Sequence, residues 1–265
     1  MTPQPAATPV PAATILLLRG DHSALEVFMV VRHHQIDFAS GALVFPGGKV
    51  DPQDQTPALA SRCDGASADA ATRAIQIAAI REAYEECGVL LARPTGSANL
   101  IPGPRLRDLE PYRQKINDGD VPFHDFLRQQ DLRLACDQLV HFAHWITPDM
   151  MPKRFDTHFF LADAPVDQVA LHDGHESVDS VWMTPQAALT GAANGRYTVI
   201  FPTLRQIEKL AHSPSPKAAI EHARSTRVVT VTPWTEQRTD GAYLCIPLEA
   251  GYDVFEEKMP ARAPR

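Results

Sequence analysis

Every position from Thr14 to Leu18 is β-branched or apolar, and a second run, Glu26 to Val31, is apolar after its first residue. Gly20-Asp21-His22-Ser23 separates them, so the pattern predicts two strands joined by a turn. A third short run, Ala42 to Phe45, stops at Pro46-Gly47-Gly48. Proline cannot donate to a ladder and paired glycines reach backbone angles closed to other residues, so the chain must turn there, with its backbone available to a ligand. Ala70 to Cys87 runs without Pro or Gly and meets Gly88, which predicts a helix with a glycine stop.

The remaining pattern is more broken. Residues 1–13 carry Pro3, Pro5, Pro9 and Pro11 among Ala and Thr and read as a flexible arm. Residues 52–69 are small and polar and read as a loop insertion. Residues 93–135 mix Pro-rich turns with helical pieces at 106–116 and 122–130, a small helical insertion. Strands are expected at 139–146, 154–162 and 179–183, helices at 185–193 and 203–211, and late strands at 227–232 and 242–246. No internal repeat is visible, which argues against a solenoid or propeller.

Composition narrows the partners. The 25 Lys and Arg against 32 Asp and Glu give a net charge of −7, which argues against nucleic acid as the default ligand because a binding face needs clustered basic residues, a local basic patch being the alternative. The longest apolar run near the N-terminus, Ile15 to Leu18, is too short for a membrane helix, and nothing basic precedes it to make a signal peptide. Cys63, Cys87, Cys136 and Cys245 are far apart, with no paired ligand spacing, which suits a reducing compartment. The expected location is cytoplasmic.

The chemistry concentrates in the long helix. Glu82, Glu85 and Glu86 stand at i, i+3 and i+4, on one helical face. Alone they repel one another and oppose the helix dipole at its C-terminal end; a hard divalent cation reverses both effects. The competing reading is a solvated acidic face. Arg81 pairs with Glu85 or buttresses the cluster.

Context favours the metal. Upstream lies Phe45-Pro46-Gly47-Gly48-Lys49-Val50-Asp51, and together the halves resemble the Nudix hydrolase family, whose box is G-x5-E-x7-R-E-U-x-E-E-x-G-U. Gly48 leads after five residues to Asp54, where the family usually has Glu, and 26 residues separate Asp54 from Arg81, nineteen more than the pattern allows. The excess coincides with the polar loop, and loop-closure entropy grows slowly enough for the halves still to meet. The Gly47-Gly48 to Asp51 and Asp54 pattern is similar to the coenzyme A diphosphatase branch, although the His that branch often carries ahead of the last strand before the box is Ala39 here, before Gly41. The insertion, the Ala79 to Pro94 stretch and the segments Trp145 to Pro148 and Arg154 to Thr157 are similar to the long-insert acyl-coenzyme A diphosphatases, so the resemblance covers about residues 14–210.

That resemblance implies a single α/β domain over residues 14–265: a Nudix α/β/α sandwich with a mixed β-sheet between helices and the two insertions. It implies Mg²⁺ or Mn²⁺ held by Glu82, Glu85, Glu86 and the Gly47 carbonyl, with Gly48 beside the substrate and Glu176, from a distant loop, a further ligand candidate. Glu82, Glu85 and Arg81 are the catalytic candidates; Glu82 is the candidate base, with a later loop as the alternative source. Arg32 resembles a family Arg that meets a phosphate, a surface salt bridge being the other reading. The implied activity is hydrolysis of a diphosphate bond in a nucleoside diphosphate linked to another group, coenzyme A or an acyl-coenzyme A first, then NADH, ADP-ribose, FAD or capped RNA. A silent nucleotide-binding regulator would be expected to lose a carboxylate from the cluster, and all three are present; a purely structural interaction domain would show no metal-dependent turnover. Oligomeric state stays open.

Other residues read more plainly. His33 and His34 are adjacent and so face opposite ways on a strand. His141, His144, His158, His172 and His175 are scattered, and no His–Cys spacing among them supports zinc. Trp145, Phe155, Phe159 and Phe160 fit alternating buried strand positions rather than an adenine-stacking platform.

Overall fold

A computed structural model describes residues 7–22, 24–32, 42–170 and 177–259. The chain starts with β1 (Val10–Gly20), β2 (Leu25–Arg32), β3 (Leu43–Val44) and β4 (Gly47–Lys49), then α1 (Pro57–Ala60), β5 (Cys63–Asp64) and the long α2 (Ala70–Cys87). Next come β6 (Ala92–Pro94), α3 (Gly103–Asn117), α4 (Phe123–Gln129) and β7 (Leu132–Ala135). The second half holds β8 (Val140–Ile146), β9 (Phe155–Asp163), β10 (Ser177–Met183), α5 (Pro185–Ala193), α6 (Phe201–Ala211) and α7 (Pro216–Ser225). It closes with β11 (Thr230–Val231), β12 (Trp234–Arg238), β13 (Gly241–Cys245) and β14 (Glu256–Lys258).

The main sheet runs β10-β2-β1-β9-β8-β11, with β3 added to β2 and β4 to β1. It is mixed: β1 is parallel to β9 and antiparallel to β2 and β4. The unbroken apolar run of β1 follows from its central place, since both faces are covered. Ala13, Ile15 and Leu17 enter a core shared with Ile77, Ile80 and Tyr84 of α2. Leu16 and Leu18 enter a second core with Ile207 of α6 and Ile220 of α7. Helices on both faces of one mixed sheet are therefore observed, as expected.

Helix α2 occupies the residues its sequence predicts. Asp69 caps its start by accepting from Thr72 N–H at 2.8 Å. Gly88 ends it in a left-handed turn with φ 68°, its N–H reaching the Tyr84 carbonyl at 2.9 Å.

Three expectations change. Strand β1 begins at Val10, so residues 10–13 belong to the sheet and not to an arm. Pro11 is tolerated because only its carbonyl is needed, which accepts from Val50 N–H at 2.9 Å. Residues 52–69 are an ordered element: α1 and β5 lie inside them, and Asp51 with Asp54 makes a reciprocal cap on a turn of 3₁₀ helix at Pro52–Gln55. The two insertions are also joined, because β5 of the first pairs with β7 of the second in a small β5-β7-β6 sheet. Arg133 fastens that seam, donating to Asp64 at 2.6 Å and to the Cys63 carbonyl at 3.1 Å. The helices α3 and α4 of the second insertion pack onto α2, where Tyr84 stacks on Phe126 with centroids 5.4 Å apart.

Beyond residue 211 the chain adds α7 and the separate β12-β13-β14 sheet, neither fully expected. Among the described residues, no helix is long and apolar enough to cross a membrane.

Candidate active site

Strand β4 is laid against β1, with Lys49 opposite Ala12, Gly48 opposite Ala13 and Gly47 opposite Thr14. This closeness requires glycine. A Cβ on Gly47, where φ is 154°, would sit 2.3 Å from the Ala13 carbonyl oxygen. A Cβ on Gly48 would sit 2.5 Å from Glu82 Oε1, so the carboxylate rests directly on the Gly48 backbone. Gly47 N–H donates to Glu86 Oε2 at 2.8 Å, tying the turn to the helix 39 residues later.

Arg81 organises the acids. It is 5% exposed, and its guanidinium donates to both oxygens of Asp54 at 3.0 Å, to Glu82 Oε1 and Glu85 Oε2 at 2.8 Å, and to the Lys49 carbonyl at 3.0 Å. These five bonds match the five N–H groups of the fork. Asp54, 1% exposed, is thus the anchor that brings the first half of the box to the helix across the insertion. Arg81 is a positioning residue: it holds the acids and the turn in place.

The acids feel their burial. Glu85 is pushed up to about 7, first by desolvation and further by the Glu82 and Asp54 charges, with Arg81 opposing. Desolvation also raises Asp54 against the pull of Arg81. Burial opposes the charge on Arg81, but Glu82, Asp54 and Glu85 hold it above its ordinary value. With all groups ionised, the cluster of Asp54, Glu82, Glu85 and Glu86 around the one guanidinium of Arg81 carries a formal charge of −3.

The three helix acids do not converge on one point. Glu85 is turned onto Arg81, Glu86 onto the Gly47 amide, and Glu82 lies against Gly48. Their donor chemistry still fits a hard divalent cation: oxygen only, with excess negative charge.

Glu82 opens onto a cavity of about 970 Å³, a size suited to a cofactor-like small molecule. Its floor is the sheet: Ala12 and Thr14 of β1, Thr157 and Phe159 of β9, Trp145 of β8. Met150, Met151 and Phe155 wall one side, and Ile200 and Phe201 another. Charge is confined to the end near the acids and to Lys49, Asp51, Arg81 and Lys153.

Of the residues expected at the site, Gly47, Gly48, Arg81, Glu82, Glu85 and Glu86 come together. Arg32 is the last residue of β2, paired with Ser177, and its side chain lies outside the described set. Glu176, His33, His34, Ala39, Gly41, His172 and His175 lie outside the described residues. Trp145 packs in the core as expected, donating to the Tyr252 hydroxyl at 2.9 Å, yet it also lines the cavity. Pro233, Leu244 and Met259 complete the wall and carry no chemical signature in sequence. The Asp240-Gly241 turn could have announced the β12–β13 hairpin that carries Leu244; Pro233 precedes it and Met259 follows β14. The scattered histidines are a correction: His141, His144 and His158 gather on neighbouring strands.

The comparisons with known proteins agree with this geometry. The family profile described as the NUDT19 Nudix domain matches residues 61–210. The chain is 24% identical over 234 residues to acyl-coenzyme A diphosphatase NUDT19 of Xenopus laevis, covering 73% of this chain and 62% of the relative. It is 30% identical over 151 residues to the protein of the same name from Homo sapiens, covering 54% of this chain and 40% of that one. The chain therefore spans less than two thirds of the length of these relatives. In structure it is similar to a NUDIX hydrolase from Alicyclobacillus acidocaldarius, with a TM-score of 0.66 and 26% identity over 84% of this chain and 98% of that one. A profile match over residues 61–210, more than half the chain and including the glutamate-bearing helix to which the upstream Gly-Gly turn is locked, places this protein in the Nudix hydrolase family, in its NUDT19 branch.

Proposed function

We propose that this protein hydrolyses the diphosphate bond of coenzyme A or an acyl-coenzyme A, releasing a phosphopantetheine product and adenosine 3′,5′-bisphosphate. The observation that carries the reading is the lining of the site: metal-suited acids at Glu82, and beside them a cavity walled mostly by apolar side chains. A diphosphate fits the first, and a pantetheine arm with its acyl chain fits the second. The names of the relatives point the same way. NADH, ADP-ribose, FAD and capped RNA carry polar groups on both sides of the diphosphate and match the apolar walls less well.

Glu82, Glu85 and Glu86 would hold Mg²⁺ or Mn²⁺ beside the Gly47-Gly48 turn. Such an ion supplies positive charge for phosphoryl oxygens and acidifies a bound water. Lys49 and Lys153, which line the cavity, are the candidates to meet phosphate oxygens. Glu82, facing the cavity, is the candidate to accept the water proton. Arg81 keeps Glu82 and Glu85 in position.

The test is a product assay by mass on the full chain with Mg²⁺ or Mn²⁺ and each of the five substrate types. Cleavage of coenzyme A or an acyl-coenzyme A, lost in Glu82→Gln, is expected. Cleavage of NADH alone would overturn the substrate assignment. No cleavage of any substrate, with divalent-ion affinity unchanged in Glu85→Gln, would overturn the hydrolase reading in favour of a nucleotide-binding regulator.

A further inference from the structure

Strands β8 and β9 place Asp156, His158 and Phe160 on one face of the sheet, while Thr157 and Phe159 face the substrate cavity on the other. His144 lies directly opposite His158, and a register shift between His141 and Ala143 brings His141 to the same face, beside Phe160. The result is three imidazoles and one carboxylate on the side away from the cavity. His144 Nε2 is in close contact with Asp156 Oδ1, and His158 Nε2 stands 3.9 Å from the same oxygen. The ligand atoms of His144, Asp156 and His158 all lie within 4.8 Å of one another.

The far nitrogens of these rings are also occupied. His144 Nδ1 is 2.8 Å from Thr230 Oγ1 on β11, and His158 Nδ1 is 3.1 Å from His141 Nε2. Metal-bound histidines carry outer partners of this kind, which orient the ring and fix the tautomer. With Nδ1 protonated on both rings, the two Nε2 atoms and a carboxylate oxygen are three acceptors within 4.8 Å of one another. Three acceptors this close can share a cation.

We propose that His144, His158 and Asp156 form a second metal site, selective for an imidazole-preferring ion of the zinc class, with His141 and Thr230 as its outer shell. Two imidazoles and one carboxylate make a three-ligand set that leaves a fourth tetrahedral position to water. The same set disfavours Mg²⁺, which takes oxygen ligands. All three ligands are half-buried, so an ion can reach them from solvent. The ion would cross-link β8 to β9 from the face opposite the substrate.

The rival occupant is a proton: a charged His144 simply paired with Asp156. A titration of the chelator-stripped full chain with Co²⁺ alone, in excess Mg²⁺ to fill the glutamate site, separates the two. One Co²⁺ per chain with the intense visible bands of a tetrahedral centre, displaced by Zn²⁺, is expected. His158→Gln and Asp156→Asn should each weaken Co²⁺ binding by more than about tenfold, and His141→Ala by about 10–100-fold. Glu82→Gln should leave it unchanged. No tetrahedral Co²⁺ spectrum in the wild-type chain, or a spectrum lost with Glu82→Gln and kept in His158→Gln, would overturn the site. Thermal melting of each metal-free variant against wild type identifies any that fail to fold, and the wild-type spectrum stands as a test without them.

Discussion

Replacing Arg81 with Met removes five hydrogen bonds at once and leaves Asp54, Glu82 and Glu85 facing one another without a counter-charge. Breaking a buried ion pair from one side costs about 3–5 kcal/mol. At roughly 2–4 °C per kcal/mol for a chain near this size, the melting temperature should fall by about 6–20 °C. The loss carries a pH signature. In the variant, Asp54 and Glu85 have folded pKa values raised further above their unfolded ones, since Arg81 no longer opposes desolvation. A group raised in this way is more stable protonated, so the deficit against wild type should shrink as pH falls and grow as pH rises through the folded values. Urea denaturation of both proteins across the acid range measures this, and Mg²⁺ should recover part of the loss. A deficit below about 1 kcal/mol that does not change with pH would show that the network behaves like a surface pair and would refute the reasoning.

Gly48→Ala should lower kcat more than tenfold with a small change in stability, because the added methyl falls 2.5 Å from the movable carboxylate of Glu82 and not on backbone; equal kcat would contradict the close contact. Gly47→Ala meets the Ala13 carbonyl at 2.3 Å and should instead unfold or misregister β4, readable as a collapse of soluble yield or melting temperature. In metal-free buffer, desolvation and neighbouring rings depress His141 and His158 from 6.5 to about 4. Both therefore favour the neutral form in the fold, so stability should be full above pH 6.5 and decline toward pH 4, a decline that His141→Gln should reduce. Tyr252→Phe strips the hydroxyl that joins Trp145 to Gln206 and should cost about 1–3 kcal/mol in chemical denaturation, with no loss if water replaces it.

What the sequence made legible was whatever depends on neighbouring residues. Helix α2 was readable end to end because its stop, Gly88, and its proline-free run are local features. The glutamate face was readable because three residues of one turn share it, and the Gly47-Gly48 turn because glycine has few other uses at such a place. The Arg81–Asp54 fork was only half visible: the motif set both residues in view, but their contact across 27 positions belongs to the tertiary fold. The pairing of the two insertions was hidden for the same reason, since β5 and β7 are two and four residues long and lie about seventy apart. Strand β1 was shortened in the reading because Pro9 and Pro11 mask an edge that only β4 and β9 complete. The histidines looked scattered because spacing rules for zinc describe ligands on one loop or helix. Here the ligands come from two strands, and a shift in register sets them together.

The central claim is that the glutamates of α2 and the glycine turn of β4 form one cation-binding acid cluster. Mn²⁺ binding followed by electron paramagnetic resonance, on wild type and on Glu82→Gln, Glu85→Gln and Glu86→Gln in turn, tests it most directly. Manganese stands at the weak end of the imidazole-binding series, so the histidine cluster should contribute little to the signal. The account predicts Mn²⁺ binding to wild type that each substitution weakens by tenfold or more. Wild-type affinity retained in all three variants would contradict it.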